Sequence, residues 1–371
     1  MDPLDRAAAL HARALAHHDA GRLAAAARDA ERARSLFAAH AGPHHPDVGS
    51  VLDALGMVAL ALGQLREGVR LLRRAVAIFD RYPRVTEVRP FRAEALGRLG
   101  DALRELGDYP AARAALRRAT AAARSAYGAG SFEHAAALNR YGVLCKFAGW
   151  FAAAERAYRA ATAMAEGRGW EALACALLHN LGGLEHARGR LEAAEAYARR
   201  GHERRVALEG EDSPAALEDL GALAAIVADR GRLAEAEAML RGLLARFEER
   251  FGPRHAEVAV VLHNLGAVLA GEGRHGEAEG MYRRALAIQR ARLGASHPEV
   301  ALTAHNLAAV LDTQGRGREA LALHRRALSV ARRTLGARHP TTRACRAAVA
   351  DGEARAAGKR VRRGGGGCGS A

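Results

Sequence analysis

The sequence predicts an all-α solenoid of stacked helical hairpins, on three observations. Residues 257–298 and 299–340 are two copies of one unit, identical at 23 of 42 positions when aligned without a gap. Self-similarity at a fixed period marks a repeat array whose units are too small to bury an apolar face alone and must stack on their neighbours. Within a copy, apolar residues fall at helical spacing on both sides of a glycine: Leu262, Leu265, Val268 and Leu269 before Gly273, then Ala278, Met281, Leu286 and Ile288 after it. The composition agrees, being 50% hydrophobic but only 5% aromatic and dominated by Ala and Leu.

The glycine gives the register of every unit. Turn glycines recur at Gly21, Gly63, Gly107, Gly149, Gly189, Gly231, Gly273 and Gly315, which predicts about eight hairpins. A residue free to take positive φ is wanted between two antiparallel helices. Seven residues before these glycines stand Ala14, Gly56, Gly100, Gly142, Gly182, Ala224, Gly266 and Ala308. Five residues after them stand Ala26, Gly68, Ala112, Ala154, Ala194, Ala236, Ala278 and Ala320. Positions that are always small are where the two helices approach most closely. Gly294 with His297-Pro298, and Gly336 with His339-Pro340, end one hairpin and start the next helix with proline at its first position.

The chain order follows. Residues 1–46 are expected to form an N-terminal capping hairpin, a weak repeat with Arg13 where leucine is expected. Residues 47–340 hold repeats two to eight, interrupted at residues 82–90 by a loop with two prolines. Residues 341–357 form a C-terminal capping helix, and 358–371 a disordered tail, basic and then glycine-rich. The last four residues, from Cys368, have the spacing of a prenylation box, but Gly369 and Ser370 are not aliphatic. A solvated tail or an expression scar is the expected reading.

Leu-Gly in the first helix, alanine five residues past the turn, and a further alanine twelve past it at Ala33, Ala75, Ala119, Ala161, Ala285 and Ala327 resemble the tetratricopeptide repeat. Gly201 and Leu243 depart from the last mark. The 42-residue period and the L-G-x-x-H-P ending are similar to the kinesin-light-chain type of repeat. HEAT and armadillo arrays have comparable periods but lack the small-residue pattern. The resemblance implies a right-handed superhelix whose first helices line a concave wall. That wall is the candidate site.

Ten residues before each turn glycine the expected inner arc carries Asp53, Gly97, Asn139, His179, Gly221, His263 and His305. Asn180, Asn264 and Asn306 follow directly, and Gly183, Ala225, Ala267 and Ala309 lie four residues past the first set. The resemblance implies that an asparagine ladder there holds the backbone of an extended peptide, since an amide offers donors and an acceptor together. Histidine beside it, in His179-Asn180, His263-Asn264 and His305-Asn306, departs from the family pattern. Asparagines that merely cap nearby side chains are the competing reading. The site residues are therefore Asn139, His179, Asn180, His263, Asn264, His305 and Asn306, for a peptide segment of another protein.

Other chemistries find little support. Equivalent histidines on stacked hairpins start roughly 10 Å apart, too far to share an ion whose ligands each lie near 2 Å, so no metal site is read. Without a Ser-His-Asp pattern, a phosphate-cradling glycine loop or H-E-x-x-H, no enzyme and no cofactor are read. Cys145, Cys175, Cys345 and Cys368 lack metal or redox spacing, and Cys145 and Cys175 read as buried thiols.

The net charge of +15 comes from 56 basic residues, of which only Lys146 and Lys359 are lysines, a bias that points to a GC-rich, bacterial genome. Charge alone names no groove or base reader, so nucleic acid is not the expected partner. A second-helix stripe, Arg73-Arg74, Arg117-Arg118, Arg199-Arg200, Arg283-Arg284 and Arg325-Arg326 with Arg159 and Arg241 in register, reads as a solvated convex face or as a surface for an acidic partner. The first residues lack a signal-peptide pattern and no apolar run spans a membrane, so a cytoplasmic protein is expected. The function expected is a protein-interaction scaffold, with a peptide-sensing regulator as the alternative.

Overall fold

In the computed structural model, residues 2–337 and 339–358 are described. The basic tail from residue 359 and its Cys368 motif lie outside them. Among the described residues there are seventeen α-helices, one 3₁₀ turn and no strand. The chain divides into two compact units, Met1–Leu144 and Cys145–Ala371.

The first unit contains α1 (Pro3–Asp19), α2 (Leu23–His40), α3 (Pro46–Ala61), α4 (Leu65–Phe79), α5 (Arg89–Glu105) and α6 (Tyr109–Tyr127). The unit boundary falls within α7 (Phe132–Phe147). The second unit continues with α8 (Phe151–Ala165), α9 (Glu171–Ala187), α10 (Leu191–Glu209), α11 (Pro214–Asp229) and α12 (Leu233–Phe251). It ends with α13 (Ala256–Gly271), α14 (His275–Leu293), α15 (Pro298–Thr313), α16 (Gly317–Thr334) and α17 (Pro340–Ala356).

All eight turn glycines have positive φ, between 71° and 83°. Each closes its helix with a paired return of the backbone: at Gly273 its own N–H donates to the Ala270 carbonyl and that of Arg274 to the Leu269 carbonyl. These bonds satisfy carbonyls that the helix end would otherwise leave open. The small positions are where they were expected. A Cβ on Gly56 would lie 2.8 Å from Leu72, and one on Gly100 only 2.4 Å from Leu116, across the hairpin. Leu262, Leu265, Val268 and Leu269 are buried in the core of the second unit with Tyr282 and Leu286 from α14.

The His-Pro boundaries act as caps. His297 Nδ1 accepts the Glu299 backbone N–H at 3.2 Å, and His339 does the same for Thr341 at 3.2 Å, while Pro follows in the first turn. A ring nitrogen here takes the place of the usual cap oxygen.

Departures from the repeat pattern are compensated locally. Arg13 holds the buried Asp29 of α2 through two bonds of 2.6 and 2.9 Å, an ion pair where the other hairpins place leucine or, in the fourth, Tyr141. Leu243 fills the space over Gly221, whose Cβ would lie 3.1 Å from it. The break at residues 82–90 is shorter than a plain loop. Thr86–Val88 form a 3₁₀ turn, and α5 starts at Arg89 with Pro90 in its first turn, where a missing N–H costs nothing. Helix α17 packs on α16 and buries Cys345 and Thr342. Cys145 and Cys175 are buried, as expected.

Candidate functional site

The inner faces of the two units differ in chemistry. In α5 and α7 the position nine residues before the turn glycine is arginine, Arg98 and Arg140, and each reaches back to a carboxylate on the preceding first helix. Arg98 on α5 grips Asp53 of α3 through Nε at 3.0 Å and Nη2 at 2.6 Å. Arg140 on α7 lies 3.2 Å from Asp101 of α5 and stretches over Gly97, where a Cβ would stand 2.8 Å from its guanidinium. Burial pushes the Asp53 and Asp101 carboxyls up against the pull of their arginines. Asn139, beside Arg140, is half-buried. This face is an ion-pair ladder that spacing alone did not disclose.

In α9, α13 and α15 the same position is asparagine, and in α11 it is Ala222. Asn264 on α13 and Asn306 on α15 line a cleft of about 440 Å³ bounded by α11, α13 and α15 and by the starts of α12 and α14. Ala225, Ala267 and Ala309 form its floor. The volume lies within the range of ligand clefts, roughly 300 to 1,000 Å³. Asn180 lies farther back on α9, is buried, and does not line this cleft.

The three histidines are half-buried, each with a ring nitrogen engaged by a side chain of a neighbouring helix. His179 Nδ1 lies 2.6 Å from Asp219 of α11, and Asp219 also accepts from Arg205 at 3.2 Å. His263 Nδ1 lies 2.8 Å from the Thr303 hydroxyl, and its ring meets Tyr282 edge-on at 5.5 Å. Asn306 donates its amide to His263 Nε2 at 3.4 Å, which fixes the proton on Nδ1. Burial pushes the His263 imidazole down to about 4. His305 faces His324 with Nδ1 atoms 3.0 Å apart, and burial followed by the neighbouring imidazole brings it to about 4 as well. His179 and His263 thus tie successive first helices together, His305 ties α15 to α16 within one hairpin, and His263 orients the Asn306 amide.

The outer face carries a second ladder. Six residues past the turn glycine stand Glu155, Glu195, Glu237 and Glu279, and each is clasped by an arginine of its own helix and by one or more from the next turn. Glu237 takes Arg241 at 2.7 Å and Arg274 at 2.9 Å; Glu279 takes Arg283 at 2.8 Å and Arg316 at 2.7 Å. Glu195 is held by Arg199, Arg230 and Arg232. Burial alone would raise its carboxyl, but hydrogen bonds from the three guanidiniums bring it down to about 2. Arg159, Arg199, Arg241 and Arg283 of the arginine stripe are therefore engaged with the glutamate of their own helix, while Arg188, Arg230, Arg232, Arg274 and Arg316, outside the stripe, join one hairpin to the next. The signal was present in the sequence as a glutamate recurring at one register position.

Among the described residues no group of three or more His, Cys, Asp or Glu is placed to hold a metal ion. No helix among them is long and apolar enough to cross a membrane.

Comparison with known proteins agrees with the fold. Among solved structures, the chain is similar to the apo form of the quorum sensor NprR from B. thuringiensis: 12% identity over 89% of this chain and 88% of that one, TM-score 0.64. It is also similar to the Rap conjugation gene regulator of the plasmid pLS20 in complex with the Phr* peptide, at 16% identity over 78% and 75%, TM-score 0.62. At such identities the likeness is one of fold. A putative kinesin light chain from Podosopora anserina, with nearly identical TPR-like repeats, is similar at 22% identity over 49% of this chain and 85% of that one, but its TM-score of 0.40 adds no argument. No curated protein sequence matches. The sequence matches the tetratricopeptide repeat over residues 5–81, 91–167, 173–249, 220–291, 257–330 and 299–359, which takes in the first hairpin despite Arg13. The chain belongs to the tetratricopeptide repeat family.

Proposed function

We propose that the protein is an interaction scaffold that holds an extended peptide segment of a partner protein in the cleft of its second unit, with Asn264 and Asn306 on the peptide backbone. One observation carries this reading: two asparagines in register on adjacent first helices, above an alanine floor, in a cleft of about 440 Å³. An extended strand presents unpaired N–H and C=O groups at regular intervals, and each primary amide can serve one of both kinds. The alanines leave room for the strand to approach. Asn139, Asn180 and the three paired histidines enter as supports of the wall; the contacts to the peptide are assigned to Asn264 and Asn306. The inner helices contribute no nucleophile with its base, and the reading is of binding and not catalysis. A peptide-sensing regulator is the second reading, favoured by the fold likeness to the Rap regulator solved with the Phr* peptide.

Selection of random twelve-residue peptides on the full chain tests the proposal. Peptides so obtained should bind at least about tenfold more weakly to the Asn264→Ala/Asn306→Ala variant, since each substitution removes a paired amide worth about 1 kcal/mol. Unchanged affinity, with the circular dichroism of the variant intact, removes the cleft from consideration. A ligand-dependent change in small-angle scattering separates the sensor, whose pitch must respond, from the scaffold, whose pitch need not.

A further inference from the structure

A second surface lies on the outer face, apart from the cleft. A groove of about 400 Å³ runs between α14 and α16, with Leu307 of α15 in its lining. Equivalent residues line its two sides: Arg283, Leu286 and Arg290 on α14, then Glu319, Ala322 and Arg326, each thirty-six residues on, on α16. Within each helix they stand at i, i+3 and i+7 and so share one side. At one end Arg283 reaches Glu319 at 3.1 Å and Glu279 at 2.8 Å, and charge is balanced. At the other end Arg290 and Arg326 are both exposed, and among the described residues neither guanidinium has an ion pair or a hydrogen bond.

Other repeats show what belongs at that end. Arg290 stands seventeen residues past one turn glycine, and Arg326 eleven past the next. At the same two positions Asp80 meets Arg118 at 2.6 Å and Glu248 meets Arg284 at 2.6 Å, so that a carboxylate of one hairpin holds an arginine of the next. The remaining junctions set there Glu166 with Arg200, or at most one charge. Arg290 with Arg326 is the one pair of like sign. The helix dipole accounts for a cation in the last turn of α14, but Arg326 stands in the middle of α16. Like charges side by side weaken a fold, and a carboxylate between them turns the repulsion into two ion pairs.

We propose that this groove docks an acidic segment of a partner protein, with one carboxylate between Arg290 and Arg326 in the part that Glu248 plays for Arg284. A planar guanidinium fork fits a carboxylate through two parallel bonds. Apolar side chains flanking that carboxylate rest on the half-buried Leu323 and on the exposed methyls of Ala287 and Ala322. From Arg283 to Arg290 the groove runs about 10 Å, two turns of helix, which suits a short amphipathic segment. A nucleic-acid strand fits less well, because it would bring a row of phosphates past Glu319 and nothing apolar to Leu323.

A displayed library of amphipathic helical peptides, with acidic and apolar positions varied and selected on the full chain, tests the proposal. Selected binders should share an aspartate or glutamate with an apolar residue within one turn of it. They should bind at least about tenfold more weakly to Arg326→Glu, and equally well to Asn264→Ala/Asn306→Ala. A binder whose acidic residue is changed to lysine should recover affinity on Arg290→Glu/Arg326→Glu. Arg326→Glu itself should unfold at a urea concentration no lower than that of the wild type, since it sets a carboxylate opposite Arg290 as Glu248 stands opposite Arg284. A marked loss of stability would instead give the two arginines to the fold and overturn the docking surface. Binders indifferent to Arg290 and Arg326, or a selection that yields none, would overturn it as well and leave the cleft untouched. Preference of the same two arginines for a single-stranded oligonucleotide over every selected peptide would replace the acidic protein with nucleic acid.

Discussion

The close approach of the two helices in each hairpin can be tested with alanine alone, because one substitution has opposite effects at different glycines. In a helix interior, Gly→Ala gains about 0.5 to 1 kcal/mol from reduced backbone freedom in the unfolded chain. At Gly280 in α14 nothing lies within 4 Å of the added methyl, so the whole gain should appear. At Gly266 the methyl would meet the Tyr282 ring at 3.0 Å, which a small ring displacement can relieve; gain and clash should roughly cancel. At Gly100 it would stand 2.4 Å from Leu116 Cγ, a branched carbon fully buried under the helix, and overpacking of this kind costs about 1 to 3 kcal/mol. The expected order of stability is therefore Gly280→Ala, then wild type with Gly266→Ala, then Gly100→Ala. Urea unfolding followed by circular dichroism gives the order, and hydrogen exchange places each effect in its own hairpin, as nearest-neighbour stacking requires. If Gly100→Ala matched Gly280→Ala, the hairpin register would be wrong and the inner-face assignments with it.

Three further outcomes follow. Glu195→Gln should cost about 2 to 3 kcal/mol, because it leaves Arg199, Arg230 and Arg232 around a neutral group, and amides at the junction of α10 with α12 should lose exchange protection. In the wild type the same carboxyl, folded pKa about 2 against an ordinary 4.5, contributes stability that is present above pH 4.5 and fades as pH falls toward 2. His263 and His305, folded near 4 against 6.5, bind protons more readily when unfolded. Stability should accordingly decline as pH drops from 6.5 to 4, by up to about 3 kcal/mol for each, and His263→Gln should flatten that limb in a pH series of unfolding curves. Binding to a DNA duplex should be undetectable even at about 50 mM salt, since Arg159, Arg199, Arg241, Arg283, Arg284 and Arg325 of the outer stripe are engaged with glutamates; a steep salt-dependent affinity would overturn that assignment.

The hairpin architecture was legible because it depends on local rules. Positive φ at Gly273 or Gly315, the buried stripe from Leu262 to Leu269, and the tight contact at Gly56 or Gly100 are each written within one unit. The candidate site was legible in part. Spacing put Asn264 and Asn306 at one register position of neighbouring first helices, where they line one cleft, but it could not say which partners their histidine neighbours would meet. That depends on the stagger between repeats: His263 meets Thr303 forty residues on, and Asp53 meets Arg98 forty-five residues on. A difference of one position in the stagger exchanges an open rung for a buried pair. Gly221 shows the same point, since the glycine that interrupts the histidine series becomes intelligible once Leu243 is seen above it.

The assignment of the inner wall as the binding face is tested most directly by photo-cross-linking to a selected peptide. A benzoylphenylalanine placed at Val260, exposed on the inner face of α13, should capture the peptide, and the adduct should vanish in the Asn264→Ala/Asn306→Ala background. The same group placed at Arg284 on the outer helix α14 should capture none. Cross-linking from Arg284 in preference to Val260 would contradict the account and move the site to the outer face.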